Sequence, residues 1–409
     1  MLSTALDFAP DRDREIFAAA PAAPAVFLLS GPSGEPYVSK TANLRRRLIR
    51  LLGAVDGLSR KLSLRDRVAR IEYSLTGSDF ESGLLLYKLQ RRTFPDTYRD
   101  RLRLRPAPLI KFVFDNPYPR AHITTKIGRL GGPNLYYGPF PSRAAAEKYL
   151  NDSLDFFKMR RCDFDLNPDP AYPGCIYSEM KMCLAPCFKG CTDDDYRSEV
   201  IRVQRYLDSA GETLKRELSA ERDRASANLE FEHAAAMHAR VEKLASAAQQ
   251  RPDIVRRLDQ LRGLMVQPSP ISEHVNLFHV EHSQISDPIP FAVGATAVAP
   301  TDEKDKSGHH KPRSMESRIE EALAAAPPLP KISATELAEH LAILKRWYFR
   351  TSKTGELFLA DEKGELPMRR IVRGISRVFR GDKPEGELNE TTRDYWVNRG
   401  KAAERDDAS

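Results

Sequence analysis

All five cysteines of the chain lie in one short segment, and this clustering constrains the fold more than any other feature. They are Cys162, Cys175, Cys183, Cys187 and Cys191, in a chain of 409 residues. No signal segment and no apolar run long enough to span a bilayer is evident, so we expect a cytoplasmic protein with reduced thiols and no membrane partner. Free cysteines are often small buried hydrophobic residues, but a local group is typical of metal ligation. Four thiolates at this spacing suit tetrahedral zinc and an iron–sulfur cluster equally.

Two short motifs accompany the cysteines. They read Phe157-Lys-Met-Arg-Arg-Cys162 and Cys175-Ile-Tyr-Ser-Glu-Met-Lys-Met-Cys183-Leu-Ala-Pro-Cys187. Both resemble the central region of the UvrC family, the incision subunits of the bacterial nucleotide-excision-repair nuclease. The resemblance implies an iron–sulfur cluster, with zinc as the alternative. By the same resemblance the ligands are Cys162, Cys175, Cys183 and Cys187, and Cys191 is spare or an alternative ligand.

The charge of the chain allows a nucleic-acid partner without requiring one. There are 64 Lys and Arg against 57 Asp and Glu, a net charge of +7, which is mild. Two groups of arginines lie early in the chain: Arg45, Arg46, Arg47 and Arg50, and then Arg91, Arg92, Arg99, Arg101, Arg103 and Arg105. A charge run is commonly a solvated helix face, but two groups in one small domain favour phosphate contacts.

The N-terminal part alternates strand and helix patterns. An apolar run from Ala25 leads through a Gly/Pro turn to Tyr37, which predicts a hairpin. We expect Thr41 to cap the next helix, 68–75 to form a strand, and Ser78 to open another helix. The order predicts an α+β fold, with a three-stranded antiparallel sheet covered by helices. The run Gly34-Glu-Pro-Tyr-Val-Ser-Lys-Thr-Ala-Asn-Leu-Arg-Arg-Arg47 resembles the GIY-YIG nuclease domain in its UvrC version.

This resemblance implies a metal-dependent nuclease site in which several positions have changed. Tyr37 and Arg47 match the tyrosine that assists proton removal from water and the arginine that stabilises phosphate charge. Leu86 stands where the metal-binding glutamate of the family is expected, and Phe27 replaces a further tyrosine. Because leucine cannot ligate Mg²⁺, we expect cleavage to be lost and phosphate binding to remain. Mg²⁺ or Mn²⁺ is expected only if the site is active.

Two carboxylates lie close to Leu86 in sequence. Glu81 precedes it by five residues and is rotated from it by well over a quarter turn, and Asp79 lies about two turns away. Neither replaces the missing ligand cleanly. The residues predicted to bind DNA are Lys40, Asn43, Arg45, Arg46 and Arg50.

Residues 106–250 read as strands and then helices. Strands are expected at 109–114 and 121–125, and Ser142 is expected to cap a helix. Three aromatic residues, Tyr136, Tyr137 and Phe140, suit core packing better than base stacking. The periodic segment 227–240 is typical of a helical hairpin and resembles the UVR motif, through which UvrC and UvrB associate. That resemblance implies a partner surface of Leu229, Phe231, Ala234 and Ala235.

Beyond residue 250 the resemblance ends, and a hairpin is expected from 275–280 and 289–293. Ser333 is predicted to cap a helix, followed by a strand at 357–359 and a basic helix at 368–379. The predicted domains are a leader (1–20), a nuclease-like domain (21–105), a linking region with the cysteines (106–192), a helical region (193–250), a β-containing segment (251–298), a polar linker (299–330), a small α/β segment (331–381) and a disordered tail (382–409).

Three functions remain open at this point. The first is a UvrC-like repair protein that binds DNA and has UvrB as a candidate partner. In this case its GIY-YIG domain has lost the ability to cut DNA. The second is an active structure-specific endonuclease, and the third is a cluster-bearing regulatory protein without DNA contact.

Overall fold

The computed structural model describes residues 2–54, 63–293, 300–304, 310–312 and 314–382. The predicted tail lies outside this part of the chain apart from its first residue. Within it, helices and antiparallel sheets alternate, so the α+β class is confirmed. None of its helices is both long and apolar enough to cross a membrane.

A four-stranded antiparallel sheet forms the N-terminal part. The elements are β1 (Thr4–Asp7), α1 (Asp13–Ala19), β2 (Ala25–Ser30), β3 (Tyr37–Thr41), α2 (Leu44–Leu52), β4 (Arg70–Leu75), α3 (Asp79–Thr93) and α4 (Tyr98–Leu102). The strand order is β1-β4-β2-β3. The prediction of three strands is therefore wrong by one. The extra strand, β1, comes from the stretch expected to be a leader, and it pairs with β4 along the edge that the other strands leave open.

Helix caps explain where α2 and α3 begin. The Ser78 hydroxyl accepts a hydrogen bond from the Glu81 N–H at 3.1 Å, as expected for the start of α3. At α2 the cap is Asn43, whose side chain accepts from the Arg46 N–H at 2.9 Å. The prediction of Thr41 as the cap is wrong, because its hydroxyl instead accepts from the Asn43 N–H at 3.2 Å.

The middle of the chain is a second sheet packed against helices. Its elements are β5 (Leu109–Val113), β6 (Arg120–Thr124), β7 (Leu135–Gly138), α5 (Arg143–Leu154), α6 (Ile176–Glu179), α7 (Asp193–Asp208), α8 (Glu212–Ala227), α9 (Phe231–Gln249) and β8 (Arg256–Arg257). The strand order is β6-β5-β7-β8, all antiparallel. Tyr136, Tyr137 and Phe140 are buried in the core, as predicted. Ser142 caps α5 by accepting from the Ala145 N–H.

The C-terminal part contains a third sheet. Its elements are β9 (Gly263–Pro268), β10 (His274–Glu281), β11 (Gln284–Ile285), β12 (Ile289–Ala292), β13 (Pro300–Lys304), β14 (His310–Pro312), α10 (Met315–Ala324), α11 (Ala334–Tyr348), β15 (Glu356–Leu359) and α12 (Met368–Arg380). The predicted hairpin is the β10–β12 pair. The stretch predicted as a linker contains α10, whose Ile319 is fully buried in this core. A buried apolar contact of this kind is what makes the segment helical rather than an extended linker.

Helix α11 joins the N-terminal and middle parts. Phe80 on α3 packs edge-on against Phe278 of β10 and Trp347 of α11, with ring centroids 5.2 Å and 5.8 Å apart. The largest core therefore includes α3, α4, the middle sheet and α11 together. The first sheet keeps a smaller core of its own.

Candidate functional site

Four cysteines converge on one small cavity. Cys162, Cys175, Cys183 and Cys187 line it, and its volume is about 30 Å³. Arg160 and several apolar side chains complete the wall. The four thiols are spread over 26 residues of sequence, and the fold brings them to the lining of one cavity.

Backbone hydrogen bonds hold the cysteine loop to the core. The Leu184 N–H donates to the Lys158 carbonyl at 2.9 Å, and the Asp169 N–H donates to the Cys187 carbonyl at 2.8 Å. Ala185 adopts a left-handed conformation with a φ of 56°, which is unusual for a residue with a side chain. It turns the chain between Cys183 and Cys187 and places both thiols on the cavity.

Arg160 is a buried cation without a carboxylate partner among the described residues. It is only 1% exposed. Its guanidinium donates to the carbonyls of Tyr118 and Phe164, at 2.9 Å and 2.7 Å, and to the Cys162 sulfur at 3.4 Å. Another of its nitrogens, Nη2, has no hydrogen-bond partner. Because an unpaired buried charge is costly, this cation favours negative charge in the cavity.

The thiol of Cys183 is poorly ionised at neutral pH. Burial and, to a lesser extent, the neighbouring thiols raise its pKa to about 11. Burial also raises the pKa of Cys187. A metal that binds here would displace these protons. The bound anionic thiolates would then supply the negative charge that Arg160 lacks, so the donor set fits a metal–thiolate centre.

The thiols share a cavity without meeting at one point. In the described ranges, no group of three or more Cys, His, Asp or Glu is positioned to hold a single metal ion. One tetrahedral zinc ion needs each sulfur at about 2.3 Å from the metal. In a 4Fe–4S cluster each of four cysteines binds its own iron, so the cysteine sulfurs lie farther apart than around one zinc ion. Cys191 lies outside the cavity lining.

The nuclease-like face retains a tyrosine–arginine pair. Arg47 Nη2 on α2 donates to the Tyr37 hydroxyl on β3 at 2.8 Å. The Nε atom of Arg47 is buried and has no hydrogen-bond partner. Phe27 is fully buried in the sheet, with its ring 6.1 Å from that of Tyr37. This buried donor is therefore unsatisfied within the described chain.

The two nearby carboxylates are occupied elsewhere. Asp79 forms ion pairs with Lys40 and Arg350, and these cations hold the pKa of its carboxyl low although burial opposes them. Glu81 accepts from the Gly77 N–H at 2.8 Å, and burial raises its pKa. No carboxylate in the described part of the chain has a recorded hydrogen bond or ion pair with Tyr37 or Arg47. Leu86 lies in a cavity of about 210 Å³ beside Asp79.

The residues predicted to bind DNA have different surroundings. Arg45 donates to the carbonyls of Ala18 and Ala20 and so fastens the end of α1. Lys40 is paired with Asp79, and Asn43 is a helix cap. Arg46 and Arg50 are exposed, one helical turn apart on α2. They are the members of the set with no competing contact in the described structure.

Comparisons with known proteins agree with this arrangement. A family model described as the UvrC/Cho excinuclease middle domain matches residues 108–206, which include every cysteine. The chain is UvrC-like. The UvrABC system protein C of Limosilactobacillus reuteri is 30% identical over 201 residues, 49% of this chain and 32% of that protein. Its counterpart from Idiomarina loihiensis is 27% identical over 216 residues, 52% of this chain and 34% of that protein. The match spans about a third of the length of these relatives, and no solved structure matches.

In this UvrC-like chain the second arginine group contacts protein carboxylates. Arg91 pairs with Glu336. Arg99 donates to Glu339 at 2.8 Å, and that carboxylate also accepts from the hydroxyls of Tyr87 and Tyr98, at 2.7 Å and 2.8 Å. The expectation that this group contacts phosphate does not hold for these two arginines. Sequence reasoning missed these roles of Glu336 and Glu339; their position among the apolar residues in the first half of α11 was the available signal.

The UVR-like segment forms the predicted helical hairpin from α8 and α9. Leu229, in the turn, and Phe231, at the start of α9, are 72% and 66% exposed. Ala235 is exposed and Ala234 half-buried. These apolar side chains lie together at the tip of the hairpin, where the described chain does not cover the two large ones.

Proposed function

We propose that the chain is a DNA-binding protein of nucleotide-excision repair whose GIY-YIG-like domain does not cut DNA. The observation that carries this proposal is the Tyr37–Arg47 pair, to which no carboxylate of the described residues is hydrogen-bonded or ion-paired. Metal-assisted hydrolysis requires oxygen ligands for the divalent ion. Leu86 offers none, and Asp79 and Glu81 have other partners. The retained Tyr37–Arg47 pair supports binding of a phosphate oxygen instead.

A plasmid-nicking assay tests the loss of cleavage. We expect no nicking above background with Mg²⁺ or Mn²⁺, in the full chain and in Tyr37→Phe alike. Metal-dependent nicking that Tyr37→Phe abolishes would establish the alternative, an active endonuclease. A contaminating nuclease is recognised because its activity survives Tyr37→Phe.

A salt titration of duplex binding tests the DNA contact. Each phosphate contact contributes about 0.9 to the slope of log affinity against log salt. We expect Arg46→Gln/Arg50→Gln to reduce the slope by about one to two. The matched control is Arg197→Gln on α7, an exposed arginine paired with Asp194. If the unaltered chain shows no salt-dependent binding, the third function, a regulatory protein without DNA contact, replaces this proposal.

We propose further that Cys162, Cys175, Cys183 and Cys187 hold an iron–sulfur cluster. The four thiols around one cavity and the buried charge of Arg160 support an anionic metal–thiolate centre. The choice of iron–sulfur over zinc rests on the resemblance of the cysteine motifs to the UvrC family. Anaerobically purified protein should show a broad visible absorption and contain iron, and Cys183→Ala should lose both. Cys191→Ala is the control and should retain them. Stoichiometric zinc without iron would establish the zinc alternative.

UvrB is the proposed partner of the hairpin tip, because the relatives are named as components of a UvrABC system. Exposed Leu229 and Phe231 provide apolar area that a partner can cover. We expect Leu229→Ser/Phe231→Ser to weaken binding to UvrB at least tenfold by calorimetry. His238→Ser, on the exposed side of α9, should leave the affinity unchanged. Equal affinity of both variants would contradict the assignment.

A further inference from the structure

A large cavity lies away from the cysteines and from the nuclease-like face. Its volume is about 670 Å³, and it opens between the α7–α8 turn, β8 and the turn after β15. Seven cationic and four acidic side chains line it. This size is within the usual range for ligand sites, but such sites are mostly apolar. The charged lining indicates an anionic ligand rather than an apolar one.

Some of the cationic side chains are already neutralised. Arg257 donates to Asp259 at 2.7 Å and lies 3.6 Å from Asp208, which also accepts from the Tyr137 hydroxyl. Arg262 lies 3.7 Å from Glu281. These contacts account for two arginines and two of the four acids. The positive charge available to a ligand therefore comes from the other five cationic side chains of the cleft.

Five cations of the cleft have no carboxylate within ion-pair distance in the described chain. They are Arg205, Arg216, Arg251, Arg256 and Lys363. Arg256 donates to the neutral carbonyl of Ala360, and Arg251 donates to that of Val255. The contacts of these two guanidinium groups thus fix their positions without cancelling their charge.

The guanidinium groups of Arg251 and Arg256 also repel each other. Burial lowers the pKa of Arg256, and the nearby charge of Arg251 lowers it further; Asp253, Asp361 and Glu362 oppose this only in part. Holding like charges together in a half-buried place is unfavourable without an anion between them. A bound phosphate would relieve this repulsion and would match the forked donors of arginine.

We propose that this cleft binds phosphate groups, supplied either by a nucleic-acid strand or by a nucleoside polyphosphate. None of its residues belongs to the nuclease-like face or to the set predicted to bind DNA there. The cleft can therefore be occupied whether or not that face contacts DNA, and the two assignments fail independently.

The test titrates the full chain with two probes, inorganic tripolyphosphate by calorimetry and a fluorescent single-stranded oligonucleotide by anisotropy. The main variant is Arg205→Gln/Arg216→Gln, which changes exposed side chains and should not disturb folding. A second variant is Arg251→Gln/Arg256→Gln. The matched control is Arg143→Gln, an exposed arginine outside the cleft.

We expect each double variant to weaken tripolyphosphate binding at least tenfold, with the control unchanged. An equal loss for the oligonucleotide, or a loss for the oligonucleotide alone, identifies a strand as the source. A loss for tripolyphosphate alone identifies a nucleoside polyphosphate. The proposal is overturned if neither probe binds the unaltered chain, or if Arg205→Gln/Arg216→Gln binds both as tightly as the control.

Discussion

The cysteine pocket and the nuclease-like face treat their positive charges in opposite ways. In the pocket, Arg160 is buried beside four thiols and forms no ion pair with a carboxylate of the described residues. On the nuclease-like face, Lys40 and Arg350 share Asp79, and Arg99 is paired with Glu339. The first region would gain negative charge only when a metal converts its thiols to thiolates, whereas the second contains carboxylates that already pair with its cations. A site with a buried positive charge that has no ion-pair partner is the better candidate for binding a cofactor with negative charge.

The largest effect that tests this comparison is expected at Arg160. In metal-loaded protein, Arg160→Met should lower stability by about 3–5 kcal/mol, because it removes the partner of a buried anion. In chelator-treated protein the loss in the free energy of unfolding should be at most half as large, since no thiolate anion is then left without its cationic partner. Thermal or urea unfolding of both forms measures the difference.

Arg161→Met is the matched control for that experiment. Arg161 is a largely buried neighbour that already pairs with Asp155 at 2.8 Å. Its replacement should cost the same free energy in loaded and treated protein. Equal losses for Arg160→Met in the two forms would remove the distinction between the regions.

A second effect concerns the carboxylate that binds the nuclease-like helices to α11. Glu339 is nearly buried and accepts three hydrogen bonds, from Tyr87, Tyr98 and Arg99. Glu339→Ala should destabilise the chain by about 3 kcal/mol, because it leaves buried donors unpaired. Urea unfolding measures the loss. Glu320→Ala, an exposed residue of α10, should change stability by less than about 0.5 kcal/mol.

Acid should loosen the same interface through His340. Burial lowers the pKa of this imidazole to about 4, and its Nδ1 accepts from the Ile285 N–H at 3.0 Å. The unfolded chain binds a proton near pH 6.5 and the folded chain does not, so stability should fall as the pH drops from about 6.5 to 4. We expect a contribution of about 1 kcal/mol per pH unit over that range. His340→Gln should remove that part of the pH dependence; an unchanged profile would rule His340 out.

The smallest effect is expected on the surface. Asp79→Asn should change stability by less than about 1 kcal/mol, because Asp79 and its two partners are all substantially exposed. It should nevertheless raise DNA affinity a few-fold, since it frees Lys40 and Arg350. Asp194→Asn on α7 changes the net charge equally. A similar gain in that control would show that total charge, rather than this face, controls binding.

Local features of the fold were predictable because local patterns determine them. The β2–β3 hairpin, the Ser142 cap and the convergence of four cysteines follow from nearby residues. Pairing of β1 with β4 and of β15 with β9 depends on strands far apart in sequence, which no local pattern specifies.

The limits of sequence reasoning at the sites have the same origin. Tyr37 and Arg47 were singled out by a short motif that resembles a known family, and the structure brings them into contact; their roles and that of Leu86 stay predictions. The carboxylates that neutralise Arg91 and Arg99 come from α11, and the basic cleft is assembled from three separate stretches. The sequence alone therefore does not show which arginines are paired with carboxylates and which are available to a ligand; the structure does.

The bond between Tyr87 and Glu339 also has a consequence for biosynthesis. Its two residues are 252 positions apart, so α3 leaves the ribosome long before α11 exists. At about 5–20 residues per second, the interval is roughly 10–50 seconds. Throughout that time Phe80 lacks its packing partners Phe278 and Trp347 and stays exposed. The nascent N-terminal part must therefore avoid aggregation until the last third of the chain has been synthesised.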